Sequence, residues 1–199
     1  MPRSALSRRH LLQLGTALVG TGLAAPALAI TGDVAGETDL TTQPNVRRNT
    51  QSFRTVRWQD HFDSLRNGAI LCDVASRALH FWSDDGQDYL IYPTSVPMTE
   101  EFTRRGRTEV VLMRRDPVWV PTPNMRQRDP SLPERVEAGP ENPMGTRAMN
   151  LSWQFYRIHG IDNPAKVGRM ASNGCFGLFN HHVEYLFERC RVGTQVVVI

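Results

Sequence analysis

The segment HGIDNPAKVGRMASNGCFGLFNHHVEYLFERCRVGTQVVVI (159–199) decides the fold, because it encodes a turn, a helix and a strand in succession. Its Asn173-Gly174 pair takes up positive φ at little cost, which predicts a tight turn that presents Cys175. Asn180 is a favourable helix N-cap, and apolar residues follow it at the i, i+3, i+4, i+7 spacing of a helix with one buried stripe. These are Val183, Leu186, Phe187 and Cys190. TQVVVI (194–199) then predicts a closing strand.

Upstream of this segment the sequence favours short strands. GAILCDVASRALHFWSDDGQDYLIYPTSV (68–96) has β-rich runs separated by polar turns, which is typical of a hairpin or meander. Further strands are predicted at TEVVLMRR (108–115) and PVWVP (117–121). The sequence therefore predicts a mainly β domain with one clear helix packed on it.

A long polar stretch interrupts these strands, and one more strand follows it. QRDPSLPERVEAGPENPMGT (127–146) is rich in proline, glycine and charge, and a loop of this length inside a compact domain is often functional. In the next strand, WQFYRIHG (153–160), alternation puts Phe155, Arg157 and His159 on one face, with His159 at the strand end. Trp119, Trp153 and Tyr156 could line a substrate groove, although aromatic residues on strands are more often core residues.

The first 29 residues have the pattern of an export leader. They contain Arg3, Arg8 and Arg9, no acidic residue, an apolar stretch and a final Ala27-Leu28-Ala29, which predicts cleavage after Ala29. SRRHLL (7–12) resembles a twin-arginine signal, which implies that the protein is exported into the periplasm after it has folded. An uncleaved membrane anchor is the alternative, but the run is short of the about 20 residues that span a bilayer. We predict that residues 30–57 form a flexible lead-in and that residues 58–199 form the folded domain.

The charge balance argues against a nucleic-acid partner. The chain has 23 basic and 20 acidic residues, and the leader holds three of the basic ones, so the remainder is formally neutral. Proteins that bind nucleic acid usually carry a clustered basic excess. We expect contact with a membrane only through the leader before its cleavage.

The three cysteines point to one free thiol. An odd number in an oxidising compartment leaves at least one unpaired, and we expect this one to be Cys175. Cys72 and Cys190 fit core positions, and a disulfide between them stays open because it depends on Cα atoms within about 7 Å. His181 and His182 suggest a metal, but adjacent side chains point apart on a helix and no second ligand pair completes a zinc site. We expect neither a metal nor a cofactor.

Cys175 and His159 form the candidate chemical pair. A thiol becomes a useful nucleophile when a base takes its proton, and imidazole is the usual base because its pKa lies near neutrality. One residue ends a strand and the other follows a turn, so the chain can bring them together. Their spacing by itself is weak support for this hypothesis.

The complete motif is more specific. His159-Gly160, Gly168, Ser172-Asn173-Gly174-Cys175, the following helix and Gly193-Thr194-Gln195-Val196 resemble the L,D-transpeptidase catalytic domain (YkuD-like) of bacterial cell-wall enzymes. The upstream hairpin and ENPMGTRAMNL (141–151) are also similar to that family, so the resemblance covers roughly residues 67–199. It implies a β-sandwich or barrel-like domain with a short helix after the catalytic cysteine.

The resemblance also implies the activity. Cys175 would attack a peptidoglycan tetrapeptide stem, form a thioester and expel D-alanine, with His159 as base and then acid. Gly160, Ser172, Asn173 and Gly174 would support the turn, whose backbone N–H groups stabilise the oxyanion. The acyl group would pass to an amine of another stem, a lipoprotein or an outer-membrane protein, in cell-wall organisation and cell shape.

The chain departs from the family pattern at two positions, and the second departure affects contacts with a substrate carboxylate or local rigidity. The family commonly has His where Asn173 stands, and Arg where this chain has Gly177. Arg157 or Arg169 could replace the missing guanidinium, and Tyr156 is a third candidate for contact with substrate. Two other functions stay open: an L,D-carboxypeptidase or amidase that uses the same pair of residues, and a catalytically weak cell-wall binding module.

Overall fold

The computed structural model describes residues 54–199, which form ten strands and two α-helices. The strands before the long loop are β1 (Ala69–Asp73), β2 (Ala78–Trp82), β3 (Tyr89–Pro93), β4 (Val96–Pro97) and β5 (Gly106–Arg115). Helix α1 (Pro123–Arg128) follows β5 and overlaps only the first residues of the long polar stretch (127–146). The rest are β6 (Arg147–Leu151), β7 (Arg157–His159), β8 (Met170–Ser172), β9 (Phe176–Gly177), α2 (Asn180–Phe187) and β10 (Gln195–Val198).

Eight strands form one sheet in the order β3-β2-β1-β10-β5-β6-β7-β9, and β4 pairs with β8. The pairs β1–β10 and β7–β9 are parallel, and the other neighbours in the large sheet are antiparallel. The first three strands form the predicted meander. The last strand along the chain, β10, therefore lies near the middle of the sheet.

The two ends of the large sheet are joined. Ser95, two residues beyond β3, forms an isolated bridge with Gly177 of β9, and their backbone hydrogen bonds are 2.8 and 3.3 Å. Since β3 and β9 are the outermost strands of the sheet, this bridge requires the sheet to curl until its ends meet. The architecture is the expected barrel-like arrangement, and the closing bridge lies beside the Cys175 turn.

Two apolar clusters cover opposite faces of β1. Ile70 and Cys72 belong to the larger cluster, whereas Ala69 and Leu71 belong to the smaller one. This is the alternation that a strand buried on both faces must show. Helix α2 packs against β6 and buries Val183, Leu186 and Phe187, as the spacing predicted.

Three local predictions are wrong. PVWVP (117–121) forms only a bridge from Trp119 to Val136, because its prolines cannot donate to a strand ladder. In WQFYRIHG only Arg157–His159 is strand, and Phe155 lies in a turn with φ +68°. Asn180 is the first residue of α2, whose N-cap is Phe179, because its side chain binds backbone groups elsewhere.

The predicted leader, its twin-arginine pattern and nearly all of the lead-in lie outside the described residues. Within residues 54–199 no helix is both long and apolar enough to cross a bilayer.

Candidate active site

A cavity of about 660 Å³ contains both members of the predicted pair. One wall comes from the sheet and the turn before β9, including Arg157, His159, Ser172 and Cys175. The other wall, called the loop wall below, comes from the segment between β5 and β6 (116–146) and is largely apolar. It includes Trp119, Val120, Met125, Leu132 and Met144.

The parallel register of β7 and β9 puts the pair on one face of the sheet. Ile158 is level with Phe176, and His159 with Gly177. Because side chains alternate between faces, Cys175 projects on the same side as His159, one strand across and two residues along. Strand spacing and rise give a Cα separation of roughly 8 Å, which the two side chains can bridge. If this register is extended by one residue, Arg157 is level with Cys175.

Gly177, which is level with His159, is packed closely against Ser95. A Cβ at this position would lie 3.8 Å from His159 Cε1 and only 2.6 Å from Ser95 Oγ. Ser95 is buried, and its Oγ accepts the Gly177 N–H at 3.0 Å. A larger side chain would have to displace Ser95, which explains why this chain cannot hold the family arginine here without rearrangement.

The ring of His159 has a defined tautomer. Its Nδ1 is hydrogen-bonded to the carbonyl oxygen of Gly160. Because a carbonyl only accepts, Nδ1 carries the proton and Nε2 keeps its lone pair. Burial lowers the pKa of His159 to about 4, although the contact with Gly160 opposes this shift. The imidazole is therefore neutral near pH 7 and can accept a proton.

The Cys175 thiol is half-buried and donates a hydrogen bond to the Phe155 carbonyl at 3.3 Å. Burial raises its pKa, while the charge and hydrogen bonds of Arg157 act in the opposite direction. All three cysteines are free thiols. Cys72 is fully buried, and desolvation raises the pKa of Cys190 to about 12. Of the three, only Cys175 lines the cavity.

The turn before Cys175 is held by Ser172. Its Oγ donates to the Cys175 carbonyl at 2.6 Å and accepts the Gly174 N–H at 3.3 Å. Gly174 has φ +122°, whereas Asn173 does not have the positive φ that its type allows. A Cβ on Gly174 would lie 3.2 Å from the Tyr156 ring, so both conformation and space require glycine.

Asn180 fixes the backbone beside His159. Its Oδ1 accepts the N–H groups of Thr146 at 3.3 Å and Ile161 at 3.1 Å. A Cβ on Gly160 would overlap this oxygen. One side chain thus ties α2 to two other segments, which is why it does not cap its own helix.

The structure brings most of the predicted site residues together, with one exception. Tyr156, Arg157 and Asn173 line the cavity; the Tyr156 hydroxyl donates to the Phe102 carbonyl at 2.8 Å. Arg169 is exposed and is not part of the lining. No group of His, Cys, Asp and Glu side chains within residues 54–199 is arranged to hold a metal ion.

Sequence reasoning missed Ser95 and the whole of α1. Ser95 matters because its side chain packs against Gly177, and the sequence alone does not show that these two distant residues are in contact. For α1 a signal was present: Thr122 is the N-cap and accepts the Met125 N–H at 3.3 Å, and Pro123 occupies the first turn.

Comparisons with known proteins show the family of this chain. The family model described as the L,D-transpeptidase catalytic domain (YkuD) matches residues 67–198. A putative L,D-transpeptidase of Fuscovulum blasticum is 45% identical over 98% of both chains. A probable L,D-transpeptidase of Escherichia coli, ErfK/SrfK, is 35% identical over 69% of this chain and 45% of its own length.

Solved structures show the same fold at low identity. An L,D-transpeptidase from Mycobacterium smegmatis has a TM-score of 0.52 and 20% identity, covering 67% of this chain and 58% of its own. One from Xylanimonas cellulosilytica also has a TM-score of 0.52, with 18% identity, covering 74% and 65%. The predicted fold class is confirmed.

The chain is a curled, mainly β domain with this thiol and imidazole in one cavity, an arrangement that fits the class of cysteine-dependent acyltransferases. The chain belongs to the L,D-transpeptidase catalytic domain family, and the enzyme class predicted from its sequence is confirmed.

Proposed function

We propose that this protein is a peptidoglycan L,D-transpeptidase in which Cys175 is the nucleophile and His159 the general base. The observation that carries this proposal is the shared face of β7 and β9, with His159 Nδ1 fixed by Gly160 and Nε2 left basic. A neutral imidazole beside a protonated thiol supports attack with concerted proton transfer rather than a preformed ion pair.

The first half-reaction transfers the acyl group to sulfur. Nε2 takes the Cys175 proton as sulfur attacks the carbonyl carbon at the L-centre of the diamino acid. The C–S bond forms, the C–N bond to D-alanine breaks, and the imidazolium returns the proton to the departing amine. The N–H groups of Asn173 and Cys175 are the first candidates for oxyanion donors, because that of Gly174 is directed at Ser172.

The second half-reaction releases the enzyme. An acceptor amine attacks the thioester, His159 takes its proton, and the sulfur leaves and is reprotonated. The acceptor is a second stem peptide or an amine of a lipoprotein or outer-membrane protein. Water in its place gives the L,D-carboxypeptidase reaction, and the half-exposed thiol supports access for either. We place the reaction in the cell envelope, reached through the leader in residues 1–29 by twin-arginine export.

Mass spectrometry of protein incubated with disaccharide-tetrapeptide tests this function. We expect an acyl adduct on Cys175, release of D-alanine, and either cross-linked dimer or tripeptide, whose ratio separates transfer from hydrolysis. Cys175→Ala should lower turnover by at least about a thousandfold, whereas Cys190→Ala, outside the cavity, should retain it. Full activity in Cys175→Ala would end the proposal, and absence of any adduct would favour a binding module.

A further inference from the structure

Arg128 lies at the junction of the two cavity walls. It is the last residue of α1, and its Nη2 donates to Asn173 Oδ1 at 2.5 Å, two residues before Cys175. Its guanidinium carbon lies 4.9 Å from the centre of the Phe102 ring. These contacts hold the exposed guanidinium at the cavity edge, close to the proposed nucleophile.

The charges around the cavity are unbalanced in favour of cations. Arg128, Arg157 and Lys166 line it, and Asp129 is the only acidic residue in the lining. Lys166 pairs with Asp162 at 3.6 Å. The Asp129 Oδ1 atom is occupied by the Ser131 N–H and hydroxyl, at 3.1 and 2.6 Å.

Arg128 has only neutral acceptors. Besides Asn173 Oδ1 it reaches the Asn124 carbonyl at 3.4 Å, and within residues 54–199 it makes no ion pair. A guanidinium has five N–H donors and binds a carboxylate more strongly than an amide oxygen. An anionic ligand group could therefore replace Asn173 as its partner.

We propose that Arg128 binds the C-terminal carboxylate of the donor stem peptide and is a specificity-determining residue of this enzyme. The inference rests on the proposed function. With the scissile carbonyl carbon at Cys175, the carboxylate carbon of the following residue lies at most about 3.7 Å from it by backbone bond lengths. Arg157 is level with Cys175 on the neighbouring strand, whereas Arg128 contacts the turn at Asn173. The proposal puts the leaving residue over this turn, within reach of Arg128.

The test compares two substrates that differ only at the C-terminus. A disaccharide-tetrapeptide with a free carboxylate and its C-terminal carboxamide are turned over separately, and the release of the last residue gives kcat and KM for each. We expect the wild-type enzyme to prefer the acid by about tenfold or more in kcat/KM, since a site built around a charged hydrogen bond rejects a ligand without it.

Arg128→Gln should remove this preference. KM for the acid should rise about tenfold with little change in kcat, while the constants for the amide stay near those of the wild type. Arg128→Lys should keep part of the preference because it retains the charge. Arg126→Gln is the matched control on the same helix, since Arg126 donates to the Glu134 carbonyl and lies outside the cavity lining.

Three results would overturn the inference. The first is equal kcat/KM for the acid and the amide in the wild type. The second is a loss of kcat/KM in Arg128→Gln that is equal for both substrates, which would mean that Arg128 only anchors α1. An unchanged preference in Arg128→Gln with an unchanged melting temperature would also contradict it. Failure of the proposed function is distinct, because it would appear as no acyl adduct on wild-type Cys175 with either substrate.

Discussion

The two walls of the cavity are built on different principles. On the sheet side, the buried residues Ile158 and Phe176 are paired, and this register positions His159 and the neighbouring Cys175. On the loop side, α1 has no buried residue, and Val120 is 55% exposed. The comparison suggests that the chemistry is held on a rigid scaffold while recognition is left to a segment that can vary.

The largest effect should come from the imidazole on the sheet side. His159→Gln keeps a polar side chain but removes the base, so kcat for acylation should fall by about 10²- to 10⁴-fold. Stopped-flow measurement of adduct formation checks this, with His181→Gln, an exposed residue outside the cavity, as the matched control. A small effect on kcat would mean that both walls contribute only to binding.

The same residue should set a pH limit. Because burial lowers the pKa of His159 to about 4, the acid limb of acylation should lie near pH 4 and not near 6.5. Between these values the unfolded state binds more protons at this position, so its contribution to the free energy of unfolding falls as the pH falls. Urea unfolding at pH 7.5 and 5 should therefore show a smaller difference in His159→Gln than in the wild type. An acid limb near 6.5 would contradict the role of burial.

A smaller effect is expected where the sheet closes. Gly177→Ala puts a Cβ 2.6 Å from Ser95 Oγ, and overpacking of this kind costs about 1–3 kcal/mol. Ser95→Ala removes the hydroxyl, so Gly177→Ala should lower the free energy of unfolding by less in the Ser95→Ala background than in the wild type. A double-mutant cycle of urea unfolding measures this coupling. Additive costs would show that the two residues do not share the space.

The smallest effect should come from the loop wall. Val120→Ala removes part of an exposed apolar side chain, so KM for the stem peptide should rise by about two- to fivefold with kcat unchanged. Val192→Ala is the matched control, because Val192 is 60% exposed and lies outside the cavity lining. Steady-state kinetics of the wild type, Val120→Ala and Val192→Ala test this prediction. A fall in kcat for Val120→Ala would mean that the loop wall takes part in the chemistry.

The sequence predicted the sheet side better than the loop side. The β-rich runs of β1 to β3 and the apolar stripe of α2 are local patterns, so they could be recognised without the fold. The Cys175 turn was also visible, since Gly174 takes the positive φ that its type permits.

What the sequence could not give are pairings between distant positions. The contacts of Asn180 with Thr146 and Ile161, of Ser95 with Gly177 and of Arg128 with Asn173 join distant segments. The residues around Asn180 do not show whether its side chain caps its own helix or binds the backbone of other segments. Phe155 was misassigned for a related reason: an aromatic residue between other aromatics favours a strand, and only the turn geometry gives it φ +68°.

The central position of β10 has a consequence for how this enzyme becomes competent. This strand pairs with both β1 and β5, although 121 residues (74–194) separate it from β1 and 79 residues (116–194) separate it from β5. Topologies dominated by such remote pairings fold slowly. Because β10 is also the last strand along the chain, we expect the large sheet to be completed only when nearly the whole sequence is available for folding.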